Sequence, residues 1–153
     1  MRDFHRILLS SEVRELNHEV ARLFEELERS RQGETHGPHG HCTPGLDVLQ
    51  TDAAVEVVMD LPGVSADRVR ILLKGGVLVM VGEKCSPYPA ERSDATFHLV
   101  ERGFGRFARA VHLDGAIDGG AARATLRAGE LRVVVPKIAD RRGQEINVPV
   151  TSE

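Results

Sequence analysis

The chain has 153 residues, of which 41% are hydrophobic and 28% charged, with a formal net charge of −3 and a pI near 6.2. That length suits one domain with a tail or two. The charge balance carries no basic footprint for nucleic acid, and no apolar run approaches the ~18 residues of a membrane span, so neither nucleic acid nor a membrane is expected as a partner.

Aromatic residues are only 4% and Trp is absent, so the core is expected to be aliphatic. The opening stretch, Met1 to Ser10, has too short an apolar run for a signal peptide. The two cysteines, Cys42 and Cys85, are far apart and follow no disulfide framework. Two reduced thiols and a cytoplasmic location are the expectation.

The first zone, to about residue 31, is helical in pattern. Leu9, Val13, Leu16, Val20, Leu23 and Leu27 recur at alternating spacings of four and three, which places them on one helix face. Ser10 or Ser11 can cap its start, and Gly33 follows its end. Residues 32–45, rich in Gly, Pro and His, read as a flexible hinge. The abrupt linker favours an exposed or self-associating arm over a helix packed on its own domain.

From Leu46 the period changes to two. Val55, Val57, Met59 and Leu61 alternate with Ala54, Glu56, Val58 and Asp60 up to a corner at Pro62-Gly63. Val69, Ile71 and Leu73 form the next alternation, ending at Gly75-Gly76. Val77 to Val81 is continuously apolar, as a strand covered on both faces would be. Further strand candidates are Phe97–Glu101, Phe107–Leu113, Ala122–Leu126 and Leu131–Val135. Short strands with Gly and Pro turns and no helix between them predict an all-β, antiparallel sandwich. The division is an arm at 1–45, a domain at 46–137 and an extended tail at 138–153 with one apolar bead, Ile146-Asn147-Val148.

Several segments, in order, resemble the α-crystallin domain of small heat shock proteins of bacterial type. Asp60-Leu61-Pro62-Gly63-Val64 followed by Val69-Arg70-Ile71 is similar to the corner between that family's third and fourth strands. Leu78-Val79-Met80-Val81-Gly82-Glu83-Lys84 resembles its fifth strand. Glu101-Arg102-Gly103-Phe104-Gly105-Arg106-Phe107-Ala108-Arg109 is similar to its Gly-x-Phe-x-Arg segment. Ala124 to Leu131, closing in Val135-Pro136-Lys137, is similar to its Ala-x-x-x-x-Gly-x-Leu and Pro-Lys pattern, and Ile146-Asn147-Val148 resembles its tail anchor. Two positions depart: Asp114 follows Leu113 where the family commonly has Pro, and Glu130 replaces the usual Val.

The resemblance implies an immunoglobulin-like β-sandwich, an ATP-independent chaperone that holds partly unfolded clients, and self-assembly from a dimer into a larger homo-oligomer. It implies that Phe97, His98, Leu99 and Val100 form a strand exchanged between subunits, pairing with Leu46 and Val48 of a second chain. It implies further that the anchor residues Ile146 and Val148 enter a groove lined by Val69, Ile71, Leu73, Ala122, Ala124 and Leu126, where small Ala side chains leave room for a knob. A client-binding surface hidden at rest is expected on the arm, at Phe4, Ile7, Leu8, Leu16, Leu23, Phe24 and Leu27, because burial there would be non-directional and promiscuous.

Sharper chemical readings fare worse. His36, His39, His41 and Cys42 are metal-ligand types, but their spacing matches no structural site and Gly/Pro flanks give no preorganisation, so no metal is expected. Gly103-Phe104-Gly105-Arg106-Phe107-Ala108 fits a dinucleotide pattern, yet strand-like alternation follows it where a helix is needed. No phosphate-binding loop or nucleophile elbow is present, so neither an enzyme nor a cofactor is expected. The alternative function is a β-sandwich adaptor or co-chaperone that binds one specific partner. A coiled-coil oligomeriser needs a longer heptad run than residues 9–27 supply.

Overall fold

A computed structural model describes residues 10–29, 40–88 and 96–138. The predicted helix is α1, Ser10–Arg29. Seven strands follow: β1 Leu46–Gln50, β2 Ala54–Asp60, β3 Val69–Lys74, β4 Val77–Lys84, β5 Gly105–His112, β6 Arg123–Arg127 and β7 Glu130–Pro136. They form two antiparallel sheets, β1-β2-β7-β6 and β3-β4-β5.

Alternation decides which residues enter the sandwich. Val55, Val57 and Met59 of β2 and Leu131, Val133 and Val135 of β7 are buried, whereas Glu56 and Arg132 point outward and form a 2.6 Å ion pair. From the other sheet come Leu78 and Met80 of β4 and Phe107 of β5. The core is otherwise aliphatic, as the composition requires. The hairpin between β3 and β4 turns on Gly75 and Gly76, both at positive φ. This is the two-residue turn whose twist matches paired strands, and glycine adopts it without steric cost.

The continuous apolar run in β4 has a double explanation. Leu78 and Met80 face the sandwich, while Val79 and Val81 face outward and are covered by Leu23 of α1. Leu16, Val20 and Phe24 pack around the same contact, with Leu72 and Val77 from the sheet. The helix is therefore not the exposed arm expected from the sequence. An outer sheet face carrying Leu72, Val77, Val79 and Val81 needs a cover, and α1 supplies the matching stripe.

One more expectation is corrected. The end of the supposed hinge is docked: the Arg106 amide donates to the Gly40 carbonyl at 2.9 Å, and the Cys42 amide donates to the Arg106 carbonyl at 3.0 Å. This forms a parallel bridge at the free edge of β5. Phe97–Glu101 is not a strand in the single chain. Its expected partner is the β1 edge of a second chain, and an unpaired strand has no ladder to hold it.

Candidate functional site

The sandwich is closed on one side and open on the other. On the closed side, residues 40–45 run from the β5 edge to β1. Cys42 packs on the core there, and Arg109 Nη1 donates to the Pro44 carbonyl at 2.6 Å. Burial pushes the Cys42 thiol above its ordinary pKa, with Lys84 opposing, so it stays protonated and is a poor metal ligand. Its Sγ lies 3.5 Å from the Gly105 carbonyl, and His41 beside it is exposed. Among the described residues no cluster of three or more His, Cys, Asp or Glu could hold a metal ion. His36 and His39 lie outside the described residues. Cys85 is free and exposed, and its Sγ accepts from Arg68 Nη1 at 2.6 Å.

On the open side the two sheets end in β3 and β6. Val69, Ile71 and Leu73 pair with Gly82, Met80 and Leu78, which sets them on the inward face of β3. Ala122, beside β6, and Leu126 of β6 also pack on the core, yet all five stay only half-buried, with no further strand over them among the described residues. Ala124 is exposed on the same rim. The three-residue 3₁₀ turn Gly119–Ala121, capped by Asp118 Oδ1 accepting from the Gly120 amide at 3.0 Å, seats Gly119 beside Leu73 and limits the slot at that end. Val69, Ile71, Leu73, Ala122 and Leu126 thus pack on the core from the β3 and β6 sides, with Ala124 exposed beside them. The anchor residues Ile146 and Val148 lie outside the described residues.

The second feature is an open backbone edge. β1 pairs with β2 alone, and its Val48 and Leu49 are 46% and 57% exposed. Phe97, Leu99 and Val100 are 57%, 73% and 66% exposed, and His98 is exposed between them. Phe97 makes a T-shaped contact with Tyr88, at 5.2 Å between ring centroids. The structure does not bring these residues to Leu46 and Val48 of the same chain.

The third feature is the face beneath α1. Of the client-binding candidates, Leu23 and Leu27 are 4% and 3% exposed, and Leu16 and Phe24 are half-buried. Phe4, Ile7 and Leu8 lie outside the described residues. Both ends of the helix are tied by charge. Lys74 Nζ lies 2.7 Å from Glu15 Oε1 and 2.9 Å from Glu19 Oε1, while Arg106 pairs with Glu28 and stacks over Phe24. The Lys74 hydrogen bond holds the Glu19 carboxyl below its ordinary range, with Arg22 adding to the effect. Glu15 and then Glu19 raise the Lys74 ammonium in return. Sequence reasoning missed Lys74 and Arg106. The signal was Leu72, an apolar residue where the alternation of β3 called for a polar one.

The geometry has counterparts among known proteins. Residues 47–151 match the Hsp20/alpha crystallin family. The 16.6 kDa heat shock protein of Oryza sativa is 32% identical over 108 residues, covering 69% of this chain and 72% of the relative. Small heat shock protein C4 of Rickettsia felis is 25% identical over 114 residues, covering 74% and 69%. Among solved structures, Heat shock protein 16.0 from Schizosaccharomyces pombe superposes with a TM-score of 0.60 at 26% identity, over 72% of this chain and 99% of that one. A small heat-shock protein from Xylella fastidiosa gives a TM-score of 0.62 at 23% identity, over 72% and 100%, a likeness of fold alone.

Proposed function

The chain belongs to the Hsp20/alpha crystallin family, and from that premise we propose that it is an ATP-independent holdase, one that binds partly unfolded proteins and keeps them from aggregating. The observation that supports the reading is the row of half-buried apolar side chains on the edge strands β3 and β6, which no further strand covers among the described residues. Apolar surface of this kind is a docking site for apolar segments.

Two association devices support the reading. The bead Ile146-Asn147-Val148 enters the slot of another subunit. Burying one such side chain contributes roughly 1.5–3 kcal/mol before ordering costs, so each contact is reversible and many tethered tails are needed. The exposed Phe97–Val100 segment adds a strand to the free β1 edge of a second subunit, pairing with Leu46 and Val48. That addition satisfies the open ladder and covers Phe97 and Leu99. Clients, like α1, present amphipathic or extended apolar segments.

A heat-labile client warmed with the protein tests this reading. The expected result is a soluble complex in which client and chaperone co-elute on size exclusion. Separate elution, with the client lost to a pellet, contradicts it.

A further inference from the structure

The register of the β1-β2-β7-β6 sheet puts every charged residue of these strands on its outer face. The charges are sorted by strand. β1 and β2 contribute three carboxylates, Asp47, Glu56 and Asp60, and no cation. β7 and β6 contribute Arg132, Arg123 and Arg127 against a single carboxylate, Glu130. Arg132 ties the middle of the face, 2.6 Å from Glu56 and 3.0 Å from Glu130. Asp47 and Asp60 are left on one half and Arg123 and Arg127 on the other, all exposed and none in an ion pair among the described residues. Asp47 and Thr125 share one row across the sheet, through Val58 and Arg132, on its two edge strands. Three strand spacings, about 14 Å, separate them. At ordinary salt that is too far for Asp47 to answer Arg123 or Arg127 of its own chain.

We propose that this face is a contact between two copies of the chain, stacked sheet on sheet about a two-fold axis that runs along the strands. Such an axis carries β1 of each copy over β6 of the other. Asp47 of one copy then falls beside Thr125 of the other, between Arg123 and Arg127, which stand two residues to either side. A shallow depression lined by Thr125, Arg127, Glu130 and Arg132 receives the incoming carboxylate. An axis across the strands would set β1 on β1 and β6 on β6 with like charges facing, so the pattern selects one geometry. Four strands of five residues present only about 300 Å² of face on each copy, well under the ~800 Å² that a stable interface buries on each partner. The contact is too weak to hold a free pair. It rests on the assembly reading above, in which the tail and the exchanged strand already keep copies together, and there it sets register more than affinity. It leaves the β1 edge and the β3 and β6 edges free for those contacts.

Complementary charge reversal in the full chain tests this. One variant is Arg123→Glu with Arg127→Glu, and the other is Asp47→Lys. Alone, each sets like charges across its own contact and exchanges fluorescently labelled subunits at least about threefold faster than wild type. In an equimolar mixture only unlike chains are complementary, so native mass spectrometry finds the two combined in equal number more often than random mixing gives. Wild-type exchange in both variants, or random mixing, overturns the proposal. Crosslinking decides it independently of assembly size. In a Cys42→Ala, Cys85→Ala background, a short bismaleimide joins Asp47→Cys chains to Thr125→Cys chains and leaves either chain alone unjoined. No excess of joined product in the mixture overturns the proposal even if the charge variants misassemble. A chain that suppresses aggregation yet gives no joined product refutes the face and leaves the chaperone reading standing, and joined product without suppression does the reverse.

Discussion

Gly105 lies directly against Gly40, so that a β-carbon on Gly105 would fall on the Gly40 carbonyl, and Gly105 holds a φ of +113° that other residues rarely adopt. This contact lets the segment before β1 hydrogen-bond to the β5 edge and close one side of the sandwich. Gly105→Ala is therefore expected to destabilise the domain by about 1–3 kcal/mol through strain and the lost bridge. Thermal melting checks this, and an unchanged Tm would mean that residues 40–42 do not hold the edge.

The groove between β3 and β6 makes a paired prediction. Replacing Ile146 and Val148 together with Ala should reduce large assemblies to dimers with the sandwich still folded. Ala124→Phe, which fills the slot from the other side, should do the same. Multi-angle light scattering reads the mass, and an unaltered size for both variants would place the tail contact elsewhere.

Deleting residues 91–99 removes Phe97 and Leu99 but leaves enough chain to join Lys84 to Gly105, which already face each other in the β4-β5 ladder. Backbone bonds net only about 0.5–1.5 kcal/mol each, but several together with apolar burial make this the tighter of the two contacts. The deletion should yield monomers or aggregates where the tail variants stop at dimers. Stable dimers of the deleted chain would put the interface along another edge.

Much of this was legible in the sequence, and the misses share a cause. Period-two alternation located β2, β3 and β7, and the Gly75-Gly76 turn marked their neighbour. The inward facing of Val69, Ile71, Leu73 and Leu126 was legible because residues of one parity on a strand share a face. The place of α1 was not, because a helix pattern reports which face is apolar and not what covers it. The continuous apolar run of β4 held that information, since Val79 and Val81 could be buried only by a second layer outside the sheet. The docking of residues 40–42 depends on a glycine–glycine approach across distant positions, which no local pattern encodes. Phe97–Val100 forms no strand in the single chain, where its expected partner, a second chain, is not present.

Acid should loosen α1. Glu19 is depressed when docked, so its contribution is present above the ordinary value near 4.5 and is lost as pH falls through the docked value. Lys74 is raised, so its contribution holds below about 10.5 and is lost as pH rises through the docked value. The groups in the contact are Glu15, Glu19, Arg22 and Lys74, so helix docking should be flat from about pH 5 to 10 and weaken below. Helical circular dichroism between pH 7 and 3 checks this, with Glu15→Gln, Glu19→Gln as a variant that should lose most of the dependence. An identical acid profile in that variant would assign the effect to other groups.

The central claim is that this chain holds unfolding proteins without nucleotide, and light scattering of a heat-labile client tests it most directly. At near-stoichiometric ratios the account predicts that scattering is suppressed to the same extent with and without ATP. Suppression that requires ATP, or a client that aggregates unhindered at every ratio and temperature, would contradict it.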